Sequence, residues 1–554
     1  MLLLAFVACN MESDPPKSTE TNRETVMVDL SETNRESETI IHYPSNRPSK
    51  KPAQSSTETS TVPHETLQTD IFGQEALASK TDWSTVDLQG EELTVLVRND
   101  VKAFREWEKE EPGDEEIDEA VADRNEVVEG NLNVYVSIKL AAGSSYASWL
   151  SEFPALIQQD VDNMLHEIDI VANFGFDGMT STLRDYYHDL RDEDTFPYFD
   201  FSLQCWNQAI VNNGTVNGRL YLCAGDMNLS MFDTAMMIWH NMDLYDRLKI
   251  EGEDPEDVQD LVLGGAWTYA EMYRWAATYI NSGSDADCSD IYGVSIQGAS
   301  APEQPADAIP YAWGISFINT EADGTHTFNF TGNQKAENVL QDFRKMYGAG
   351  GNSWDVFTEK KTDTCTCGTG GHFAAGHILF KGDVLYWDKG RNNAIREMDD
   401  RYAFLCWPKY TQTQDDYYTT SQGYLNTMSV LNHSESSTPT KGEAVSAYLQ
   451  YGTEYSYTHV RGYYFEKIIK PKWFGTDDSD GHVTKSITIF TKIINNLSYS
   501  FETIYGPMIG NKVINRVWRD TVHGGGTIQG KYEANKTAYD TALKDLDRWF
   551  GLID

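Results

Sequence analysis

Short β-branched runs that alternate with helical spacing dictate most of what this chain can fold into. Glu92–Val97 (ELTVLV) reads as a buried strand, Ile117, Ala120, Val121, Val127 and Val128 recur at helical spacing, and Leu132–Ile138 reads as a second strand. A helical stretch around Tyr146–Met164 leads into a third strand-like run, Ile168–Ala172. Parallel strands need a crossover long enough to return the chain to the same end of the sheet, and such helices supply it. The pattern predicts the α/β class. Arg219–Cys223 and Ala235–His240 also read as strands. Thr268 stands three residues before Glu271, a capping box for a helix to Ile280. Tyr539, Ala542, Leu543, Leu546, Trp549 and Phe550 share one face of a terminal helix that should dock on the body. No repeat of about 20–50 residues is visible, which argues against a solenoid or propeller.

A chain of 554 residues has room for about three or four domains. Its 44 Lys+Arg against 85 Asp+Glu give a formal charge of 44 − 85 = −41, which would repel a polyanion, so nucleic acid is not expected as a partner. No stretch of about 18 apolar residues occurs, which removes a membrane-spanning helix. The first residues, MLLLAFVA, end at Cys9 and resemble a bacterial lipoprotein signal with Cys9 as the lipidated residue. A secretory signal opens on Lys or Arg, whereas leucines follow Met1 directly, so a plain apolar terminus is the other reading. From Asn10 to about Asp87 the composition is Ser, Thr, Glu, Asn and Pro, and up to Asp70 Tyr43 is the only aromatic residue. Such a segment cannot bury enough apolar surface to offset its ordering entropy. Residues 1–9 are therefore read as a signal remnant and 10–87 as a disordered stalk. Setting Cys9 aside leaves six cysteines, an even number compatible with disulfides or with buried thiols.

The order of several stretches resembles a known family. ELTVLVRND precedes a helix containing DEAVADRNEVVEGNLNV; NGRLYLCAGDMNLSM, MMIWHNMDLYDRL, HFAAGHILFKGDVLYW, REMDDRYAFLCWPKY and GKYEANKTAYDTALKDLDRWF follow. Together they are similar to the family 1, sugar-binding branch of the extracellular solute-binding proteins that serve bacterial ABC importers, over most of Glu92–Asp554. The resemblance implies an α/β, two-lobed type II periplasmic-binding-protein fold with a hinge and an interlobe ligand cleft. By that analogy lobe I comprises 88–230 and 390–465, lobe II comprises 231–389 and 466–554, and the crossings fall near Ser230, Lys389 and Glu466. It further implies a monomer, held at the extracellular face of the membrane by its lipid anchor, that captures an oligosaccharide and delivers it to permease subunits without catalysis or cofactor.

A sugar offers a C–H face and a hydroxyl edge, so its site needs flat rings together with carboxylates or amides. With 14 Trp and 30 Tyr against 23 Phe, the chain is rich in rings that carry a polar handle. In open α/β sheets ligands gather beyond the carboxyl ends of strands. That rule selects Asn99 and Asp100 after the first strand, and Asn173, Phe174 and Asp177 after the third, where Gly175 and Gly178 permit close backbone approach. Asp226 precedes the first crossing, and Tyr424 follows a turn in the second segment of lobe I. The resemblance places Trp313 and Trp387 as aromatic platforms from lobe II. Trp206 is a further candidate that could equally be core.

Two other classes compete. A secreted glycoside hydrolase needs two carboxyls across the scissile bond, and abundance of carboxylates cannot identify that pair. No G-x-S-x-G elbow, H-E-x-x-H or P-loop occurs, and His523–Gly526 reads as a loop. A surface adhesion protein on the same stalk is the third class. Cys365 and Cys367 with His372 and His377 hint at zinc, but histidines five apart diverge by about 140° on a helix. Asp477–Gly481 resembles a calcium loop without its bidentate Glu, so a solvated turn is expected there and no metal is assigned.

Overall fold

The computed structural model describes residues 40–41, 72, 77–100, 103, 105–108, 116–141, 146–180, 184–248, 257–278, 291–296, 305–347, 353–354, 371–385, 393–421, 423–432, 439–474, 478–509 and 513–554. Twelve strands form among them. β1 (Ile40–Ile41), β2 (Glu91–Arg98), β3 (Val134–Ala141), β4 (Ile170–Phe174) and, from late in the chain, β12 (Asn426–Val430) make the first sheet, in the order β1-β3-β2-β4-β12. β5 (Met236–Asn241), β6 (Tyr292–Ile296), β9 (Ser353–Trp354), β10 (Ile378–Val384) and β11 (Tyr402–Leu405) make the second, in the order β11-β5-β10-β6-β9. β7 (Ile318–Thr320) and β8 (His326–Phe328) form a separate antiparallel pair. The architecture is α/β, as the alternation predicts.

Each lobe is built around one sheet. β2 pairs in parallel with β3 over eight residues, Glu91↔Val134 to Arg98↔Ala141, and with β4 at Val95↔Ile170 and Leu96↔Val171. The connections are helices α1 (Glu116–Leu132) and α2 (Tyr146–Asp162), the crossovers that a parallel ladder demands. Ile170–Phe174 is buried throughout, as expected of a strand covered on both faces. The run Arg219–Cys223 does not form a strand: among the described residues its pairings are the isolated bridges Val216↔Arg219 and Cys223↔Met428, the latter on the outer edge of β12.

Register shows which edges face each other. β12 runs antiparallel to β4, so its first residue, Asn426, lies opposite Phe174, the last of β4. The carboxyl ends of the parallel strands thus lie at the edge where the chain arrives from the second lobe. In the second sheet β10 is antiparallel to β5, setting its last residue, Val384, opposite Met236, the first of β5, and β6 ends at the same edge. Both sheets turn their carboxyl edges toward the junction.

Three segments cross that junction. A short helix, α3 (Gln208–Gly214), and α4 (Ser230–Asp233) lead into the first crossing at Ala235, which bridges Ser421 of the second; Thr419 of the second bridges Leu497, and the third crossing is the long helix that ends at Trp473 on Trp239. After α5 (Tyr269–Thr278), whose first turn is capped by Thr268 Oγ1 accepting from Glu271 N at 3.4 Å, the next helix of note is α6 (Pro439–Tyr455). It continues unbroken to Trp473 through two π turns, Ser456–Val460 and Phe465–Ile469. Such turns are rare and frequent at functional sites. α7 (His482–Asn495) then packs on the second lobe.

Two expected boundaries shift. β11 pairs with β5 in the second sheet, Ala403↔His240 and Phe404↔Trp239, so the return to the first lobe falls between Leu405 and Asn426 rather than near Lys389. The segment expected as a stalk up to residue 87 also has ordered parts. Ile40–Ile41 pairs with β3, and Trp83 is buried on the first lobe, stacked on Tyr451 at 5.0 Å with its Nε1 donating to Glu454 Oε2 at 2.8 Å. Truncating a buried Trp costs about 3–5 kcal/mol, so this dock holds the chain well ahead of residue 88.

The terminal helix, α8 (Lys536–Trp549), docks as its apolar face predicts. Leu543, Leu546 and Phe550 are buried, Asp547 Oδ1 pairs with His326 Nδ1 of β8 at 2.6 Å, and Trp549 Nε1 donates to Asp185 Oδ1 at 2.9 Å.

Candidate functional site

At the carboxyl edge of the first sheet, chain order brings four groups together. Arg98 ends β2, Phe174 ends β4, Tyr424 precedes β12, and Trp149 projects from α2. The Arg98 guanidinium lies 4.3 Å from the Phe174 ring centre and 5.5 Å from that of Trp149, while Tyr424 meets Phe174 edge-on at 5.1 Å. Arg98 Nη2 donates to the Tyr424 carbonyl at 3.4 Å; Nε and Nη1 find no hydrogen-bond partner among the described residues. Burial lowers the guanidinium to about 10, with Asp100 and Glu106 opposing the shift, so it stays charged at neutral pH. Attraction to the ring faces offsets part of the cost of burying it. Asn99 is exposed and Asp100 half-buried beside this group.

Behind that edge, two buried networks fix the crossings. Glu106 accepts from Ser230 N and from Asn426 Nδ2, each at 2.5 Å, tying the first lobe to the start of α4 and to β12. Burial raises the Glu106 carboxyl above its ordinary range, and these hydrogen bonds and Arg98 pull the other way. Arg105 Nη2 pairs with Asp233 Oδ2 at 2.5 Å and donates to Tyr464 OH at 2.7 Å, while Tyr464 OH donates to Asp233 Oδ1 at 2.5 Å. One carboxylate of the first crossing is thereby shared by the first lobe and the long helix.

Where these elements meet lies a pocket of about 270 Å³. Gln204–Ala209 and Asp226 line it from the first lobe, Met231 and Phe232 from α4, Arg461 from the long helix, and Ile494, Asn495 and Leu497 from the second lobe side. Its polar groups are amides and one ion pair, Asp226 Oδ1 with Arg461 Nη1 at 3.5 Å, both nearly buried. Arg461 rests 3.5 Å over the Tyr457 ring, which fixes its direction. Rings and hydrogen-bonding groups therefore converge on one concave space, the composition expected of a small-molecule site.

The candidates separate accordingly. Trp206 and Asp226 line the pocket; the indole Nε1 of Trp206 donates to Gln450 Oε1 at 2.9 Å and its ring packs on Phe201. Asn99, Asp100 and Tyr424 stand at the strand edge with Arg98. Asn173 is committed inside the first sheet: its Nδ2 donates to Ser429 Oγ at 2.8 Å and its Oδ1 accepts from Tyr187 OH at 3.3 Å. Asp177 is buried in the turn that follows. Gly175 and Gly178 do permit close approach, but by the protein itself. A Cβ at Gly178 would lie 2.2 Å from Asn173 Oδ1, and one at Gly175 2.7 Å from the Gly423 carbonyl.

Trp313 is fully buried in the second lobe, its Nε1 donating to the Pro408 carbonyl at 3.0 Å and its ring against Tyr269 and Tyr410. It packs as core there, because it directly follows the helix Pro305–Ala312, which lies against β10 and β5. Trp387, Cys9, Cys365 and Cys367 lie outside the described residues. Asp478, Asp480 and His482 come together, yet Asp478 accepts from Val483 N at 2.8 Å at the start of α7 and Asp480 pairs with Arg401 at 2.6 Å. Cys205, Cys223 and Cys406 are buried free thiols.

Arg461, Phe232, Arg105 and Asp233 were not singled out from sequence. Their signal was present: Asp233 interrupts the apolar run SMFDTAMMIW, and Arg461 interrupts VRGYYF. A lone charge within an apolar run marks a buried pair.

No family model and no curated protein matches the chain. Solved structures do. The sugar-binding protein MalE from Xanthomonas citri superposes with a TM-score of 0.52 at 13% identity, covering 84% of this chain and 100% of its own. The cyclic alpha-maltosyl-1,6-maltose binding protein from Arthrobacter globiformis gives 0.49 at 13% identity, covering 82% and 100%. With two sheets joined by three crossings and the likeness to the Xanthomonas citri structure, the chain has the two-lobed type II periplasmic-binding-protein fold.

Proposed function

We propose that the protein is an extracellular solute-binding lipoprotein that captures a carbohydrate between its lobes and delivers it to the permease subunits of an ABC importer, with no catalysis of its own. The observation that carries this reading is the junction pocket, walled by rings, amides and one ion pair from both sides of the crossings. At about 270 Å³ it falls just below the usual span of ligand sites, about 300–1,000 Å³. An oligosaccharide would seat one or two rings there and extend toward the strand edge at Asn99, Asp100 and Tyr424. Trp387, three residues beyond the last residue of β10, is the proposed platform from the second lobe, and Cys9 the proposed lipid attachment.

The reading is tested by thermal unfolding of the full chain with maltose, maltotriose, mannotriose and cellobiose. A sugar present at about 100 times its Kd adds about 2.7 kcal/mol of stability. That corresponds to several degrees, given about 2–4 °C per kcal/mol for bodies the size of one lobe. No response to any of the four, or release of shortened sugar, would overturn it.

A further inference from the structure

The pocket wall includes a residue that precedes both lobes in the chain. Phe72, which precedes the first sheet's central strand by 19 residues, is only 3% exposed. Its ring lies 5.5 Å from Phe232 on the first crossing and meets Phe465 of the long helix edge-on at 6.0 Å. The Arg461 guanidinium stands 5.4 Å from its centre, so this cation is held between the rings of Phe72 and Tyr457. Asn495 Nδ2, at the end of α7, donates to the Phe72 carbonyl at 3.2 Å. One aromatic residue thus touches the first crossing, the long helix and the second lobe side, and lines the space those elements enclose.

From this placement we infer that Phe72 is a specificity-determining residue of the solute site: its ring supplies an apolar face to a bound sugar ring and fixes Arg461 for the hydroxyl edge. The inference rests on the proposed carbohydrate function. It assigns a binding role to a stretch whose composition reads as stalk. The pocket keeps about 270 Å³ with Phe72 in place, so the ring serves as a wall beside the ligand rather than as an occupant of its space. A flat ring face next to amides and a fixed cation matches the two sides of a pyranose, and a linear polar solute without such a face would gain less from it.

Binding to the full chain is measured by calorimetry with whichever of the four sugars gives the largest wild-type response. Phe72→Ala should weaken binding at least about tenfold, Phe72→Leu should weaken it less, and Phe72→Trp should retain it, all with an unliganded far-UV spectrum like that of the wild type. If Phe72→Ala does not fold, the Leu and Trp pair carries the test, since both keep an apolar side chain and only one keeps a ring. Equal affinity across the series in a protein that does bind sugar would overturn the wall. Tighter binding by Phe72→Ala would overturn it too, making Phe72 a competing plug. A wild type that binds none of the sugars would instead remove the carbohydrate reading on which the inference stands.

Discussion

Asp233 offers the sharpest energetic test of how the lobes are joined. Its carboxylate is nearly buried, with Arg105 on one oxygen and Tyr464 OH on the other. Replacing it by Ala leaves a buried guanidinium without its counter-charge, a change that costs about 3–5 kcal/mol, more than the loss of the pair's own attraction. Asp233→Asn keeps the shape and one acceptor and should cost less, about 1–3 kcal/mol. Removing both partners, as Arg105→Met with Asp233→Leu, eliminates the stranded charge, so the double variant should be more stable than the sum of its single changes by at least about 2 kcal/mol. Urea unfolding followed by tryptophan fluorescence measures the four corners of the cycle: wild type, Arg105→Met, Asp233→Leu and the double variant. Additivity within about 0.5 kcal/mol would refute the argument, because residues that share no energy add.

Two further outcomes follow from groups elsewhere. His240 on β5 is fully buried against Phe380, neither ring nitrogen has a hydrogen-bond partner among the described residues, and burial pushes its pKa down to about 3. The unfolded chain takes up that proton near pH 6.5 and the folded one does not, so stability is complete above about pH 6.5 and falls as pH drops toward 3. The loss at pH 5 is about 2 kcal/mol, and His240→Leu should flatten that slope in unfolding measured from pH 7 to 5; an unchanged slope would contradict it. Trp387→Ala should reduce sugar affinity about tenfold with little effect on stability, whereas Trp313→Ala should destabilise by about 3–5 kcal/mol, since its ring is core. Paired calorimetry and thermal unfolding separate the two, and a Trp313→Ala chain of native stability would reverse the assignment.

Periodicity exposed the elements that need only local information. β2, β3, β4 and β5, the capped helix at Thr268 and the terminal helix all carry their signal in spacing of apolar residues. The boundary at residue 389 was not legible, because β11 is joined to its sheet by pairing with β5, some 160 residues earlier in the chain, a contact that spacing cannot encode. The same holds for Arg219–Cys223, whose apolar run touches the edge strand β12 at a single bridge, Cys223↔Met428. Among the ring residues, the sequence supplied chemistry without direction. Trp206 and Trp313 are alike as residues, and only the packing of their helices and loops sets one on the pocket and the other in the core. Phe72 was hidden by composition, since one buried ring in a polar stretch does not change an average.

The bridges Ala235↔Ser421 and Thr419↔Leu497 fasten two interlobe segments to each other and to the stretch that follows α7. Separate strings would let one half twist, slide and tilt against the other. A seam stitched along its length leaves chiefly one free coordinate, rotation about the stitching, as a book opens along its spine. Any guest that grips both pages then has a single path of travel on which to act.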